Sequence, residues 1–406
     1  MKQITGGITA AKGFQAAGIE AGIKYQNRKD MAIIYSEKPC VAAGTFTSNV
    51  VKAAPVKWDR KLLEESPYVQ AVIVNTGIAN AGTGAEGMKL CEETAKEASR
   101  VLGIPENAVL VGSTGVIGAQ LPIDRIKAGI SRLAEAKNDS LEAGTDASRA
   151  IMTTDTVPKE AAVSFEVDGV TVTVGGMSKG SGMIHPNMAT MLSVTTTDAK
   201  ISHDLLQEMV SEIVSDSFNM ISVDRDTSTN DTYLVLANGE SGVEIKAGTN
   251  GYVKFKEALS FVATDLAKQM AADGEGATRL MEVRAVHCKN KEEAKIFSKS
   301  VVTSNLVKAM VFGKDANWGR VLCALGYSGA DFDPDVIDLI LEAEDEQIVL
   351  VKDGVPTDYS EDEATILLGK DAVTFICDMK QGDASATAWG CDLTYDYVKI
   401  NGDYRS

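Results

Sequence analysis

The sequence predicts an α/β protein: layered α/β with mixed or antiparallel sheets. Strand-like runs rich in β-branched and apolar residues recur along the chain, and segments of helical periodicity stand between them. Their order is neither a strict strand-helix alternation nor a block of strands followed by a block of helices, the pattern expected of layered sheets that are not purely parallel. At 406 residues, 44% of them hydrophobic, the chain can bury a large core in one large or two medium domains.

In chain order, strands are expected at Met31 to Ser36, Cys40 to Thr47 and Gln70 to Asn75, then a helix at Gly87 to Leu102. A strand at Ala108 to Gly112, a helix at Asp124 to Ala136 and strands at Ala161 to Val167 and Val170 to Gly175 follow. After a glycine-rich loop come a strand at Thr190 to Thr197, a helix at Ser202 to Phe218, a strand at Thr232 to Ala237 and a helix at Val253 to Ala271. The last third reads as a strand at Met281 to Cys288, a helix at Lys291 to Val311 and strands at Gln347 to Val351, Ala372 to Asp378 and Leu393 to Ile400. In the Lys291 to Val311 helix, Ala294, Phe297, Val301, Leu306 and Met310 fall on or near one face, with Gly313 as the expected C-cap.

Composition removes several function classes. No run of about 18 apolar residues occurs, so no membrane helix is expected. The N-terminal Met1-Lys-Gln-Ile-Thr-Gly-Gly lacks the apolar core of a signal peptide, from which a cytoplasmic location is expected. Cysteines at 40, 91, 288, 323, 377 and 391 form no Cys-x-x-Cys pair, which argues against structural zinc and a disulfide framework. Histidines at 185, 203 and 287 have no metal-ligand or triad spacing, so no metal is expected. A net charge of -17 without a basic tract argues against nucleic acid and leaves small-molecule chemistry.

The segment Gly176-Met-Ser-Lys-Gly-Ser-Gly-Met-Ile-His-Pro-Asn-Met-Ala-Thr-Met-Leu-Ser193 carries the sharpest signal. A threonine hydroxyl is a poor nucleophile unless a base stands beside it, and its own α-amine can be that base once the preceding peptide bond is cut. The α-amine has a reference pKa of about 7.7 to 8, near working pH. Gly176, Gly180 and Gly182 permit backbone conformations closed to other residues and Pro186 fixes φ, so the loop can press the Ala189 carbonyl toward the Thr190 hydroxyl. The β-branched run that follows would anchor the new terminus. Cleavage between Ala189 and Thr190 would divide the protein into an α chain, 1–189, and a β chain, 190–406, with Thr190 as nucleophile. On local grounds alone the same residues also read as a glycine-rich hairpin loop leading to an ordinary strand.

Two further segments bear on chemistry. Gly82-Thr-Gly-Ala-Glu-Gly87 fits a dinucleotide pattern, but Thr76 to Ala81 separate it from the preceding strand, so it reads as the start of a helix. Val109-Leu-Val-Gly-Ser-Thr-Gly-Val-Ile-Gly118 is a strand running into a small-residue turn, where N–H groups and a hydroxyl can meet a developing oxyanion; Thr114 and Gly115 are the candidates, and a plain strand-closing turn is the other reading. His185 adjoins the cleavage point, His203 reads as a helix N-terminal residue and His287 as a strand residue.

Seven segments in order along nearly the whole chain carry a family resemblance: Val74-Asn-Thr-Gly-Ile-Ala-Asn-Ala81, Ser113-Thr-Gly-Val-Ile-Gly118, Thr153-Thr-Asp-Thr156, Lys179 to Leu192, Asp273-Gly-Glu-Gly-Ala-Thr-Arg279, Gly313-Lys-Asp-Ala-Asn-Trp-Gly-Arg320 and Tyr397-Val-Lys-Ile-Asn401. Together they resemble the glutamate N-acetyltransferase (ornithine acetyltransferase) family of arginine biosynthesis. The resemblance implies a self-processing, N-terminal-nucleophile-type architecture, an α2β2 assembly of the two chains, and ping-pong transfer of acetyl from N-acetylornithine to glutamate without a cofactor. Some members of the family also take acetyl-CoA as donor. Residue by residue, it implies Thr190 as nucleophile and acetyl carrier, Thr114 and Gly115 as oxyanion site, and Thr156, Lys179, Glu275, Asn401 and Ser406 in substrate binding. An acetylated amino acid offers a carboxylate and an ammonium, so Lys179 is expected to meet the first and Glu275 the second. A self-processed aminopeptidase or amidase, delivering the acyl group to water, is the rival reading.

Overall fold

A computed structural model describes residues 1–185 and 191–403. Ala189, Thr190 and Ser406, and with them the expected cut, nucleophile and terminal contact, lie outside the described residues. The described residues form two compact units. One comprises those of Met1–Gly180, Pro186–Asn219 and Asp226–Leu266, the other those of Ser181–His185, Met220–Arg225 and Ala267–Ser406.

The first unit holds β1 (Lys2–Ile4), β2 (Phe14–Ile19), β3 (Met31–Phe46), β4 (Val69–Asn75), β5 (Val109–Ser113), β6 (Lys159–Val167), β7 (Val170–Lys179) and β8 (Leu192–Thr197). After β9 (Ile221–Ser222), which belongs to the second unit, it adds β10 (Thr232–Ala237). The spatial order is β1-β6-β7-β8-β10-β3-β4-β5, with β2 also paired to β3. β8 with β10 and β4 with β5 are parallel and the other pairs antiparallel, so the sheet is mixed, as expected. Asp168 (φ 51°) and Gly169 (φ 80°) close the β6–β7 hairpin, both with the positive φ that a two-residue turn of this twist demands.

β3 replaces the two strands expected over this stretch. It runs unbroken past Pro39, but its pairing with β4 shifts register between Tyr35 and Cys40, where Glu37, Lys38 and Pro39 are exposed. Proline has no N–H to give a neighbour, so the pairing is interrupted while the chain stays extended. Phe14, Ile33, Ile34, Ile73 and Val111 form the buried centre. The Ala54–Glu65 helix packs on β5, the Leu141–Ile151 helix on β2 and β3, and the His203–Asp216 helix on β3. Burying these apolar faces supplies the drive to fold, at about 25 cal/mol per Å² removed from water.

The second unit has β11 (Leu280–Cys288), β12 (Asp338–Ala343), β13 (Glu346–Lys352), β14 (Val355–Pro356), β15 (Ala372–Asp378) and β16 (Ala384–Cys391), in the order β14-β13-β12-β15-β11-β16-β9. Its Lys291–Val302 helix packs on β11 and β16. Two expectations fail here. The single helix expected at Lys291 to Val311 is two, Lys291–Val302 and Asn305–Gly313, because the Ser304 hydroxyl accepts the Val307 N–H and starts a new helix. Leu306 accordingly is 59% exposed, and Lys314 (φ 53°), not Gly313, takes the left-handed capping position. The strand expected at Leu393 to Ile400 is a helix, Tyr395–Gly402, begun by the Thr394 hydroxyl accepting the Tyr397 N–H. Tyr395 and Val398 are exposed on it, so its apolar residues mark no buried strand. Among the described residues no helix is long and apolar enough to cross a membrane.

Candidate active site

Within the first unit, the two small-residue segments that follow β4 and β5 are laced together. The Thr114 N–H donates to the Asn75 carbonyl (3.1 Å), Val116 N–H to Gly77 (3.1 Å), Ala79 N–H to Val116 (3.0 Å) and Gly118 N–H to Ala81 (2.9 Å). The Ser113 hydroxyl donates to Asn75 Oδ1 (2.6 Å), and Asn230 Nδ2 bridges the carbonyls of Ala79 and Ser113 at 2.6 and 2.7 Å. β5 is the edge of its sheet, yet Asp59 accepts the Val111 N–H (2.8 Å) and the Trp58 indole donates to the Val109 carbonyl (3.0 Å). Side chains thus occupy the hydrogen-bonding groups that an edge strand leaves open, and the turn beyond it is held rigidly.

This lacing refines the oxyanion expectation. The Thr114 N–H is spent on Asn75, so the groups of this turn that can serve an oxyanion are the Thr114 hydroxyl and the Gly115 N–H. Both residues are partly exposed. Gly115 has φ 130° and lies against Gly77, a conformation and a closeness that only glycine allows.

A second group gathers at the end of β7. Lys179 is buried and pairs across the sheet with Leu192 at the start of β8, which in turn pairs with Thr232 at the start of β10. Asp155 accepts the Gly180 N–H (2.7 Å), the Thr153 N–H (3.0 Å) and the Lys159 ammonium (2.7 Å). Burial would raise its carboxyl, but the charges of Lys179 and Lys159 outweigh that and hold it near 2. Asp155 is therefore an anion at every working pH, and it braces the Lys179-Gly180 backbone. Thr156, next in sequence, is exposed beside it.

Sequence reasoning missed the third group. Asp231, 1% exposed, lies at the start of β10 with its carboxyl toward the N–H of Met191, the residue that follows Thr190 in the chain. Burial drives this carboxyl well above the usual range, against the opposing pull of the Thr47 hydroxyl, the Met191 N–H, the Lys179 charge and the Ser228 hydroxyl. Its Oδ2 is buried without a hydrogen-bond partner. The Met191 carbonyl accepts from the Thr232 N–H (2.8 Å), so this residue is gripped on both sides. The signal available in the sequence was a lone aspartate ahead of a strand, Asn230-Asp231-Thr232, which ordinarily marks a turn.

The second unit brings Glu275 and Asn401 together. Asn401 Nδ2 donates to Glu275 Oε2 (2.6 Å) and to the Tyr397 carbonyl of its own helix (3.0 Å). The Glu275 N–H donates to the Ser181 carbonyl (2.9 Å). Gly182 lies so close that a Cβ there would be 2.1 Å from the Glu275 carboxyl carbon, which accounts for the second glycine of Gly180-Ser-Gly182. Asp224 accepts both the Met183 N–H (2.7 Å) and the Ile184 N–H (2.8 Å), and Ile184 accepts from Val223 (2.7 Å). The chain is thereby pinned just ahead of the expected cut. His185 stands 3.1 Å from the Ser222 hydroxyl, and burial with the nearby charges of Lys299 and Arg225 depresses it to about 4, leaving it a neutral imidazole.

Among the described residues no cluster of histidine, cysteine and carboxylate side chains could hold a metal ion. The expected site residues thus fall into three described assemblies: the Thr114–Gly115 turn, Lys179 with Thr156 about Asp155, and Glu275 with Asn401.

Comparison with known proteins adds an independent finding. Residues 15–406 match the ArgJ family model. An arginine biosynthesis bifunctional protein ArgJ of Symbiobacterium thermophilum is 52% identical over the whole of both chains. A second relative, arginine biosynthesis bifunctional protein ArgJ 1 of Clostridium acetobutylicum, is 50% identical over 98% of this chain and 97% of its own. A solved structure of an ornithine acetyltransferase from Mycobacterium tuberculosis, complexed with ornithine, is 40% identical and covers 46% of this chain and 96% of its own, with a TM-score of 0.43.

Proposed function

This chain belongs to the ArgJ family, and from that premise we propose that it is a glutamate N-acetyltransferase of arginine biosynthesis that cuts its own Ala189–Thr190 bond. The freed Thr190 then carries acetyl from N-acetylornithine to glutamate. Its relatives' designation as bifunctional supports a second donor, acetyl-CoA, for making N-acetylglutamate anew. We place it in the cytoplasm as an α2β2 assembly of chains 1–189 and 190–406.

In the first half-reaction the Thr190 hydroxyl oxygen bonds to the acetyl carbon while its proton passes to the Thr190 α-amine. The Thr114 hydroxyl and the Gly115 N–H meet the oxyanion. The bond from acetyl carbon to the ornithine α-nitrogen breaks, and that nitrogen takes the proton. Glutamate reverses each step and leaves as N-acetylglutamate. In substrate binding Lys179 meets the α-carboxylate and Glu275, oriented by Asn401, the side-chain ammonium of ornithine, with Thr156 and Ser406 completing the contacts.

The observation that carries this reading is the grip on Met191: Thr232 holds its carbonyl, Asp231 faces its N–H, and the buried cation Lys179 lies across from the next residue, Leu192. The strand that begins at Leu192 is thus held by described groups on both sides of Met191, the kind of rigid scaffold a chain-start nucleophile would need. The experiment is N-terminal sequencing of active protein together with an assay of acetyl transfer. A second terminus beginning Thr-Met-Leu-Ser, with transfer dependent on glutamate, is expected. A single terminus in active protein would defeat self-cleavage, and release of acetate at the same rate without glutamate would favour an amidase.

A further inference from the structure

A concave pocket of about 510 Å³ in the first unit is lined by Arg28, Lys29, Arg149, Met152, Asp155, Thr156 and Pro158. Three of its walls are cationic. Arg28 donates to the carbonyls of Met152 (2.6 Å) and Thr153 (2.7 Å) and lies over the Tyr25 ring, so its guanidinium is fixed in place. Lys29 and Arg149 share the carboxylate of Asp146, at 2.5 and 3.7 Å. Asp155, the carboxylate in the lining, is already matched by Lys159 and Lys179. Arg149 also faces the half-buried Glu160, so three cations stand against the two carboxylates Asp146 and Glu160 and leave a local surplus of positive charge on a chain whose net charge is -17.

That surplus needs a ligand to explain it. A polyanion approaching this protein is repelled by the whole and can settle only where cations are concentrated. Partly exposed arginine and lysine side chains around a cavity suit phosphate oxygens, which accept charge-assisted hydrogen bonds from a fixed guanidinium. The location is as telling as the charge. Thr156 and Asp155 form one wall, and Asp155 also takes the Gly180 N–H directly after Lys179, so a ligand in the pocket adjoins the residues assigned to acyl transfer.

We propose that this pocket holds the phosphate groups of a nucleotide-bearing acyl thioester, so that the thioester arm runs past Thr156 toward the acyl-transfer residues. The acetylated amino-acid donor carries no phosphate and does not use Lys29 or Arg149. This rests on the reading of acetyl-CoA as a second donor.

The test compares the two donors in the purified wild-type protein and in Lys29→Gln, Arg149→Gln and the double variant, with glutamate as acceptor. Adenosine 3′,5′-bisphosphate, which has the phosphates but no acyl group, is titrated by calorimetry as a readout independent of activity. Wild-type protein should bind the bisphosphate, more weakly as salt rises. Each single variant should raise KM for acetyl-CoA roughly tenfold, and the double variant should no longer bind the bisphosphate, while KM for N-acetylornithine stays within about twofold. A wild-type protein that ignores the bisphosphate, an unaltered KM for acetyl-CoA in the double variant, or a parallel rise in both donors' KM values would overturn the proposal. Loss of N-acetylornithine transfer in the wild type would instead count against the acetyltransferase reading, and the bisphosphate titration would still judge the pocket.

Discussion

A Cβ placed on Gly115 would stand 2.3 Å from the carbonyl carbon of Gly77. Backbone meets backbone there, so nothing can swing aside, and φ 130° at Gly115 is itself closed to other residues. Gly115→Ala must displace the turn that carries the proposed oxyanion donors. We expect kcat to fall roughly a hundredfold or more, with a much smaller change in KM, because the lost contact is made to the transition state. Steady-state kinetics of a soluble variant decide it, and a kcat close to wild type would remove this turn from the mechanism.

Thr190→Ala should yield one uncut chain of 43.0 kDa on a denaturing gel, without acetyl transfer. Thr190→Ser keeps a hydroxyl and should still cut, more slowly. Two fragments from the alanine variant would defeat the nucleophile assignment.

Lys179→Ala should raise KM for the acyl donor, since the buried ammonium is assigned to its carboxylate. It should also let the Asp155 carboxyl rise from its depressed value near 2, because Lys179 is one of the two charges that hold it there. An unchanged KM would take Lys179 out of substrate binding.

Asp231 carries a linked prediction about pH. Its folded-state pKa lies above the ordinary carboxyl value, so the folded protein binds the proton more tightly than the unfolded chain does. That contribution is fully present below the unfolded value, about 4, and is lost as pH rises through the folded value. Asp231→Asn keeps the shape and cannot ionise, so its Tm relative to wild type should climb as pH rises from 4. Parallel Tm curves for the two proteins would show that the carboxyl is not held protonated.

Lys299 provides the opposite charge type. Burial lowers its ammonium to about 7 from the usual 10.5, and it donates to the Ile221 carbonyl (3.0 Å). The unfolded chain therefore binds the proton more tightly between 7 and 10.5, and wild-type stability should rise with pH across that window. Lys299→Met should flatten the rise and stabilise the protein at pH 7 by about 2–4 kcal/mol, which denaturant titrations at pH 7 and 10 would measure. Loss of stability at pH 7 would mean that the ammonium is better served than its burial suggests. His185, depressed partly by Lys299, should regain some basicity in the same variant.

Much of the first sheet was legible because its strands are short apolar runs bounded by glycine or polar turns, as at Gln70 to Asn75 and Thr232 to Ala237. What escaped notice lacked such contrast. The Leu141–Ile151 helix is mostly small and polar residues, buried only because β2 and β3 pack against it, and its start rests on a single Ser140 cap. The break between Val302 and Asn305 and the helix at Tyr395–Gly402 likewise depend on one hydroxyl each, at Ser304 and Thr394, where local hydrogen bonding overrides the hydrophobic pattern.

The order of the chain by itself determined the α/β class, the family and the residue types of the site, because periodicity, turn residues and seven short segments are properties of neighbouring positions. Only the tertiary structure decided that the Thr114 N–H is spent on Asn75, that Asn230 ties two distant turns together, and that Asp231 faces Met191 with one oxygen unsatisfied. Those relations join positions up to 151 residues apart, from Ala79 to Asn230. Burial and long-range hydrogen bonding arise when strands from separate parts of the chain pair, and no local pattern encodes them.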